Sequence, residues 1–195
     1  MQIPTVPTFV NGDTSITKLR QLSQCVSFVT NAQSYPVWHL YRHSTFSVTP
    51  ANTWVTVPMT ATAFDSDRVG TGSGVTIVTQ GYYTCEACVP FVSQASVNNG
   101  WAAFLWTAGP ANANFSAGTT VQFGLKAGRI IAATGSDEVL SPADMCPVVC
   151  YPGDTIVVQA NVAINNTVID VNNPTSAFAG RFTCNFTGRW VRVGS

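Results

Sequence analysis

The sequence predicts an all-β fold, a sandwich or barrel of short antiparallel strands, and three observations predict it. Segments rich in β-branched and aromatic residues alternate apolar with polar; across 154–164, Ile156, Val158, Ala160 and Val162 share one face. Turn signals punctuate the chain at near-regular intervals: Asn98-Asn99-Gly100, Ala108-Gly109-Pro110, Ala127-Gly128, Pro152-Gly153-Asp154 and Asn172-Asn173-Pro174. No helical period separates one strand from the next, so the crossover helices of a parallel α/β sheet have no sequence to form from.

Taken in order, residues 1–45 read as an N-terminal arm. Pro4 and Pro7 stiffen an extended lead-in, and Asn11-Gly12-Asp13 marks a turn. Asp13 or Thr14 caps a short helix in which Ile16, Leu19, Leu22 and Val26 recur at helical spacing. A second extended piece runs from Ser34-Tyr35-Pro36 through His43. Such an arm buries little by itself and must lie along its own domain or on a partner. Residues 46–195 form the β domain. Expected strands are 53–57, 75–78, 83–92, 101–106, 119–125, 129–133, 145–151, 154–164 and 179–193, the last with Phe182, Cys184 and Phe186 on one side.

Composition narrows the function. Of 195 residues 46% are hydrophobic, 11% aromatic and only 9% charged, and nine Lys and Arg balance nine Asp and Glu. A nucleic-acid binder needs a basic stripe to neutralise phosphates, and this chain has no such excess. Intrinsic disorder requires the opposite composition, low hydrophobicity with high charge. The longest apolar stretches, such as Trp101–Trp106, fall far short of the roughly 20 residues of a membrane helix. No basic-then-apolar opening marks a signal peptide, so synthesis in a cytoplasm is expected. With so few charges, part of the exterior is a candidate for coverage by other subunits.

Candidate chemistry is sparse. Cys85-Glu86-Ala87-Cys88 and Cys146-Pro147-Val148-Val149-Cys150 have the look of paired ligands. In a strand, however, i and i+3 point to opposite faces, so Cys85 and Cys88 cannot chelate together, and buried free thiols are expected. His39 and His43 enclose no Glu of the zinc-protease kind. Asp65 and Asp67 lack the closing Glu of a calcium loop, which leaves Asp65 as a turn cap. With two Glu in the chain, no GxSxG elbow and no Lys after Thr71-Gly72-Ser73-Gly74, neither an enzyme nor a phosphate loop is expected. No cofactor and no metal are expected. Trp101, after Asn98-Asn99-Gly100, and Trp106, before Ala108-Gly109-Pro110, stand near expected loop ends and are the candidate ligand-binding residues; core or interface packing is the competing reading.

Three segments carry a resemblance. Gly81-Tyr82-Tyr83 opens a strand running through Val89 and Phe91; Tyr151-Pro152-Gly153-Asp154 precedes Thr155–Ala160; and Phe186-Thr187-Gly188-Arg189-Trp190-Val191-Arg192-Val193-Gly194 closes the pattern. Together they resemble the jelly roll of the tumour-necrosis-factor and complement globular-head superfamily, in the form found in tailed-bacteriophage virion proteins. Pro7-Thr8-Phe9-Val10-Asn11-Gly12-Asp13 resembles the arm that precedes the domain there, and Phe64-Asp65-Ser66-Asp67 a turn near its first strands. The six cysteines are no part of that pattern. The resemblance implies an antiparallel jelly-roll sandwich that forms a homotrimer. It further implies a virion protein made in the bacterial host cytoplasm, most simply a capsid decoration protein. Its partner would be the major capsid protein, or tail proteins, with Phe9, Val10, Ile16, Leu19 and Leu22 as arm anchors. The alternative is a receptor- or glycan-binding module of a tail tip or head fibre.

Overall fold

A computed structural model describes residues 18, 20, 22, 36–42, 44–93, 97–131, 138–165, 167–169 and 184–192. The chain divides into two compact units, Met1–Tyr35 and Pro36–Ser195. In the first, Lys18, Arg20 and Leu22 are helical, where the arm helix is expected. Phe9, Val10, Ile16 and Leu19 lie outside the described residues.

The second unit is a sandwich of antiparallel strands. In chain order these are β1 (Val37–Tyr41), β2 (Phe46–Val48), β3 (Val55–Thr56), β4 (Ala61–Asp65), β5 (Gly70–Thr71), β6 (Gly74–Thr76) and β7 (Tyr82–Ser93), then β8 (Val97–Thr107), β9 (Thr120–Ile131), β10 (Glu138–Leu140), β11 (Ala143–Met145), β12 (Thr155–Val162), β13 (Thr167–Ile169) and β14 (Asn185–Arg192). The first sheet runs β2-β13-β7-β14-β1-β4, with β10 and β11 lying end to end along the free edge of β7. The second runs β5-β6-β12-β8-β9, and β3 pairs with β12 beyond β6. The chain crosses repeatedly between the two sheets, as in a jelly roll, with β8 and β9 paired as neighbours in the second.

The inner faces follow from period-two alternation. In β12, Ile156, Val158, Ala160 and Val162 are fully buried while the residues between them are half-exposed. Trp38, Leu40, Tyr83, Phe91 and Phe186 of the first sheet meet Phe104, Trp106, Ile130 and Ile156 of the second. Phe104 bridges the layers, with ring centroids 5.6 Å from Phe186 and 5.2 Å from Phe123. Trp38 packs edge-on to Phe186 at 5.5 Å. Such pairs contribute about 0.5–1.5 kcal/mol each beyond the area they bury.

Two motif residues have structural reasons. Asp154 is fully buried, and its carboxylate gathers the end of the sandwich. It accepts hydrogen bonds from the indole of Trp106 (3.0 Å), the amides of Gly109 (2.8 Å) and Tyr151 (2.9 Å) and the side chain of Asn112 (2.8 Å). Gly153 supplies the positive φ of 92° that turns the chain back onto this carboxylate. Gly188 lies opposite Trp38 in the β1–β14 pairing, and a Cβ there would stand 2.1 Å from the indole ring. Only glycine lets Trp38 lie against β14.

Several expected boundaries shift. Asn98-Asn99-Gly100 and Ala127-Gly128 are not turns: Gly100 faces Gly128 within the long β8–β9 pairing, and 119–125 with 129–133 is mainly the one strand β9. Gly124, at φ 65°, takes up the extra residue of a bulge opposite 102–104, so the strand bends without ending. The segment 145–151 leaves the sheet after Met145, and Cys150 only bridges Gly81. The compact unit begins at Pro36, ahead of residue 46, because the extended piece expected through His43 forms β1 between β14 and β4.

Candidate assembly face and aromatic concavity

Each sheet turns one face to the core and one outward, and the two outward faces differ. On the first sheet, alternation sends Val37, His39 and Tyr41 of β1 outward beside Thr187 and Arg189 of β14 and Thr84 and Glu86 of β7. Phe64 pairs with His39 and Met145 with Thr84, so both stand on the same face, 54% and 49% exposed. Val37 and Val191 are exposed apolar residues of the same strands. Two adjoining concavities mark this face. One of about 420 Å³ is lined by Val37, His39, Phe64, Thr84, Glu86 and Arg189 among others. The other, of about 350 Å³, shares His39, Glu86 and Thr187 with it and reaches Pro142 and Ala143.

The outward face of the second sheet holds a different arrangement. Trp101 on β8 pairs with Asn161 on β12, and the β3–β12 register, continued by one residue, brings Trp54 to the other side of Asn161. Asn52, Gln122 and Leu125 complete an open concavity of about 410 Å³. Nε2 of Gln122 donates to the side-chain Oε1 of Gln159 at 3.4 Å. The bulge at Gly124 leaves Leu125 56% exposed beside the ring of Trp101. Oδ1 of Asn161 is buried and has no hydrogen-bond partner among the described residues.

The expected ligand-binding pair is therefore separated. Trp106 is wholly in the core, held by Asp154 and packed edge-on to Phe115 at 5.3 Å, so it cannot stack a ligand in this fold. The cause is its place on the inner face of β8, one strand position out of phase with Trp101. Trp101 stays half-exposed, mid-strand and away from a loop end. Of the arm anchors, Leu22 is 39% exposed. Phe64 and Met145 escaped sequence reading because an apolar residue on a short strand normally signals core. Only pairing, which sets register, shows which face it takes.

The remaining candidates are accounted for locally. Asp65 caps its turn, accepting from the amides of Val69 (2.9 Å) and Gly70 (2.7 Å). Cys85, Cys146, Cys150 and Cys184 are buried free thiols, and Cys88, on the opposite face from Cys85, is half-buried. Burial pushes the Cys85 and Cys88 thiols up and carries Cys184 to about 12. The Cys150 thiol, 3.7 Å from the Cys146 sulfur, donates to it, which lowers Cys146 and raises Cys150. Burial also raises the Tyr83 phenol, whose hydroxyl donates to the Thr79 carbonyl at 2.7 Å. Among the described residues, no three His, Cys, Asp or Glu side chains gather as a metal site would require. No described helix is long and apolar enough to cross a membrane.

Comparison with solved structures places the fold. The chain is similar to the globular domain of a zebrafish complement 1qA protein, with a TM-score of 0.56 at 11% identity over 82% of this chain and 99% of that one. It is similar to murine APRIL, with a TM-score of 0.50 at 12% identity over 80% and 99% of the two chains. It is also similar to an Eiger TNF from S. frugiperda, with a TM-score of 0.50 at 8% identity over 83% and 96%. No protein-family model matches, and no curated protein matches. The fold is a TNF/C1q-like antiparallel jelly roll.

Proposed function

We propose that this chain is the subunit of a homotrimeric structural protein of a tailed-phage particle, a capsid decoration protein rather than an enzyme. In this reading the jelly rolls join through the outward face of the first sheet, and the arm docks on the major capsid protein. The observation that carries the assembly is the exposed apolar set Val37, Phe64, Met145 and Val191 on the strands of one sheet. On a protein with 9% charged residues, such a face is better buried than solvated. Two adjoining concavities on it give a second copy something to fill. The placement on a phage particle draws its support from the resemblance of Pro7–Asp13 and Phe186–Gly194 to phage virion proteins.

The mechanism is added contact. Each arm anchor among Phe9, Val10, Ile16, Leu19 and Leu22 that becomes fully buried contributes roughly 1.5–3 kcal/mol. Multiplied over many copies, this raises the internal pressure a shell withstands before its subunits part. Deleting residues 1–30 tests the arm, since β1 and everything after it are left in place. The truncated protein should keep the number of chains per particle and the β-sheet circular dichroism of the full-length protein and lose co-sedimentation with phage heads. Truncated chains that still decorate heads refute arm docking.

A further inference from the structure

We infer that the concavity between Trp54 and Trp101 is a binding site for a neutral saccharide. The inference stands apart from the trimer and from the arm, because the site is on the outward face of the other sheet and is complete within one chain. Three observations converge on that ligand class.

The first is the lining. Asn52, Trp54, Trp101, Gln122, Leu125 and Asn161 include two indoles, three carboxamides and no charged side chain. An indole face matches the C–H face of a pyranose, and a carboxamide both donates and accepts, as a ring hydroxyl does. A phosphate, a carboxylate or an acidic peptide would find no cation here. The volume of about 410 Å³ lies in the range of small-ligand sites.

The second is the unmet acceptor. Asn161 sits between the two tryptophans in the strand register, and its Oδ1 is buried without a hydrogen-bond partner among the described residues. Native proteins rarely leave such an oxygen unpaired, and a ligand hydroxyl that shifts the side chains covering it would satisfy it. The third is positioning. Asn52 holds φ 58°, a left-handed conformation that asparagine tolerates better than most residues, and its amide donates to the Val162 carbonyl at 2.7 Å. That contact fixes the loop against β12, next to Asn161. Nε2 of Gln122 donates to Oε1 of Gln159 at 3.4 Å, which sets this carboxamide at the border of the concavity.

The site commits to a sugar rather than to a protein. Its apolar parts, two rings and Leu125, are interleaved with amides and do not form the continuous patch a protein partner buries.

The test uses the full-length protein and neutral di- and trisaccharides of glucose, galactose and N-acetylglucosamine, with sialyllactose as the anionic control. Saturation-transfer NMR identifies the bound sugar, and tryptophan fluorescence gives its affinity. At least one neutral sugar should bind, and Trp101→Ala and Asn161→Ala should each weaken it tenfold or more with no change in solution mass. Trp54→Ala, just outside β3 at the sheet edge, should do the same and guards against a folding defect at position 101. Absence of saturation transfer from every neutral sugar overturns the inference, as does transfer that survives both tryptophan substitutions. Preference for sialyllactose, or a fall in solution mass on Trp101→Ala, overturns it in favour of an anionic ligand or a protein contact.

Discussion

The two outward faces arise from the same alternation of side chains, yet they carry different sets of residues. The first sheet presents Val37, Phe64, Met145 and Val191 across four strands, set among His39, Tyr41, Asn185, Thr84, Thr187 and the charged Glu86 and Arg189. The second interleaves Trp54, Trp101 and Leu125 with Asn52, Gln122 and Asn161. A spread of apolar surface with few amides, Asn185 among them, gains most when another protein covers it, through burial of area. Rings alternating with amides gain most from a ligand that carries both C–H faces and hydroxyls. One sandwich can therefore assemble through one side and remain free to bind on the other.

The largest effect expected is one that removes the distinction altogether. Asp154→Ala orphans the donors of Trp106, Gly109, Asn112 and Tyr151 at the end of the sandwich. Leaving several buried donors without an acceptor should cost about 3–5 kcal/mol. Thermal and urea unfolding should show this loss; a variant within 1 kcal/mol of wild type would mean the carboxylate does not hold the loops at the end of the sandwich. A smaller and more local effect is expected of Gly188→Ala, whose Cβ would meet the Trp38 ring. Forcing the indole away should cost about 3 kcal/mol. It should also disturb the first sheet before the second, so amide exchange should quicken in β1 and β14 while β8 and β12 stay protected. Equal loss in both sheets would contradict the separation of the two faces.

The inner half of this design was legible in the sequence and the outer half was not. The alternation Ile156, Val158, Ala160, Val162 identifies a buried face without any partner strand, because burial imposes period two on one strand at a time. The same holds for Phe186 in β14 and Cys184 just before it. The Tyr151–Asp154 turn could be named from its residues, since glycine and aspartate there serve local geometry. The outward sites depend on register between strands far apart in sequence. Trp54 and Trp101 meet only because both flank Asn161, and Phe64 joins Met145 only through β1, β14 and β7. Gly100 and Gly128 misled for a related reason. A glycine that permits close packing inside a sheet, with Ile130 only 2.6 Å from where a Cβ would stand at Gly100, carries the same letter as one that makes a turn. Trp106 shows the reverse case, an aromatic next to a turn signal that nonetheless faces inward to reach Asp154.

The account's central claim is that the first sheet's outward face is where copies of this chain meet. The measurement that tests it most directly is the solution mass by light scattering of the full chain and of Phe64→Glu combined with Met145→Glu. Both side chains are about half-exposed in the single chain, so charges there should leave the fold intact. The account predicts three times the 20.7 kDa of one chain for the unsubstituted protein and a single chain's mass for the double variant. An unsubstituted protein that stays monomeric, or a double variant that remains trimeric, would contradict it.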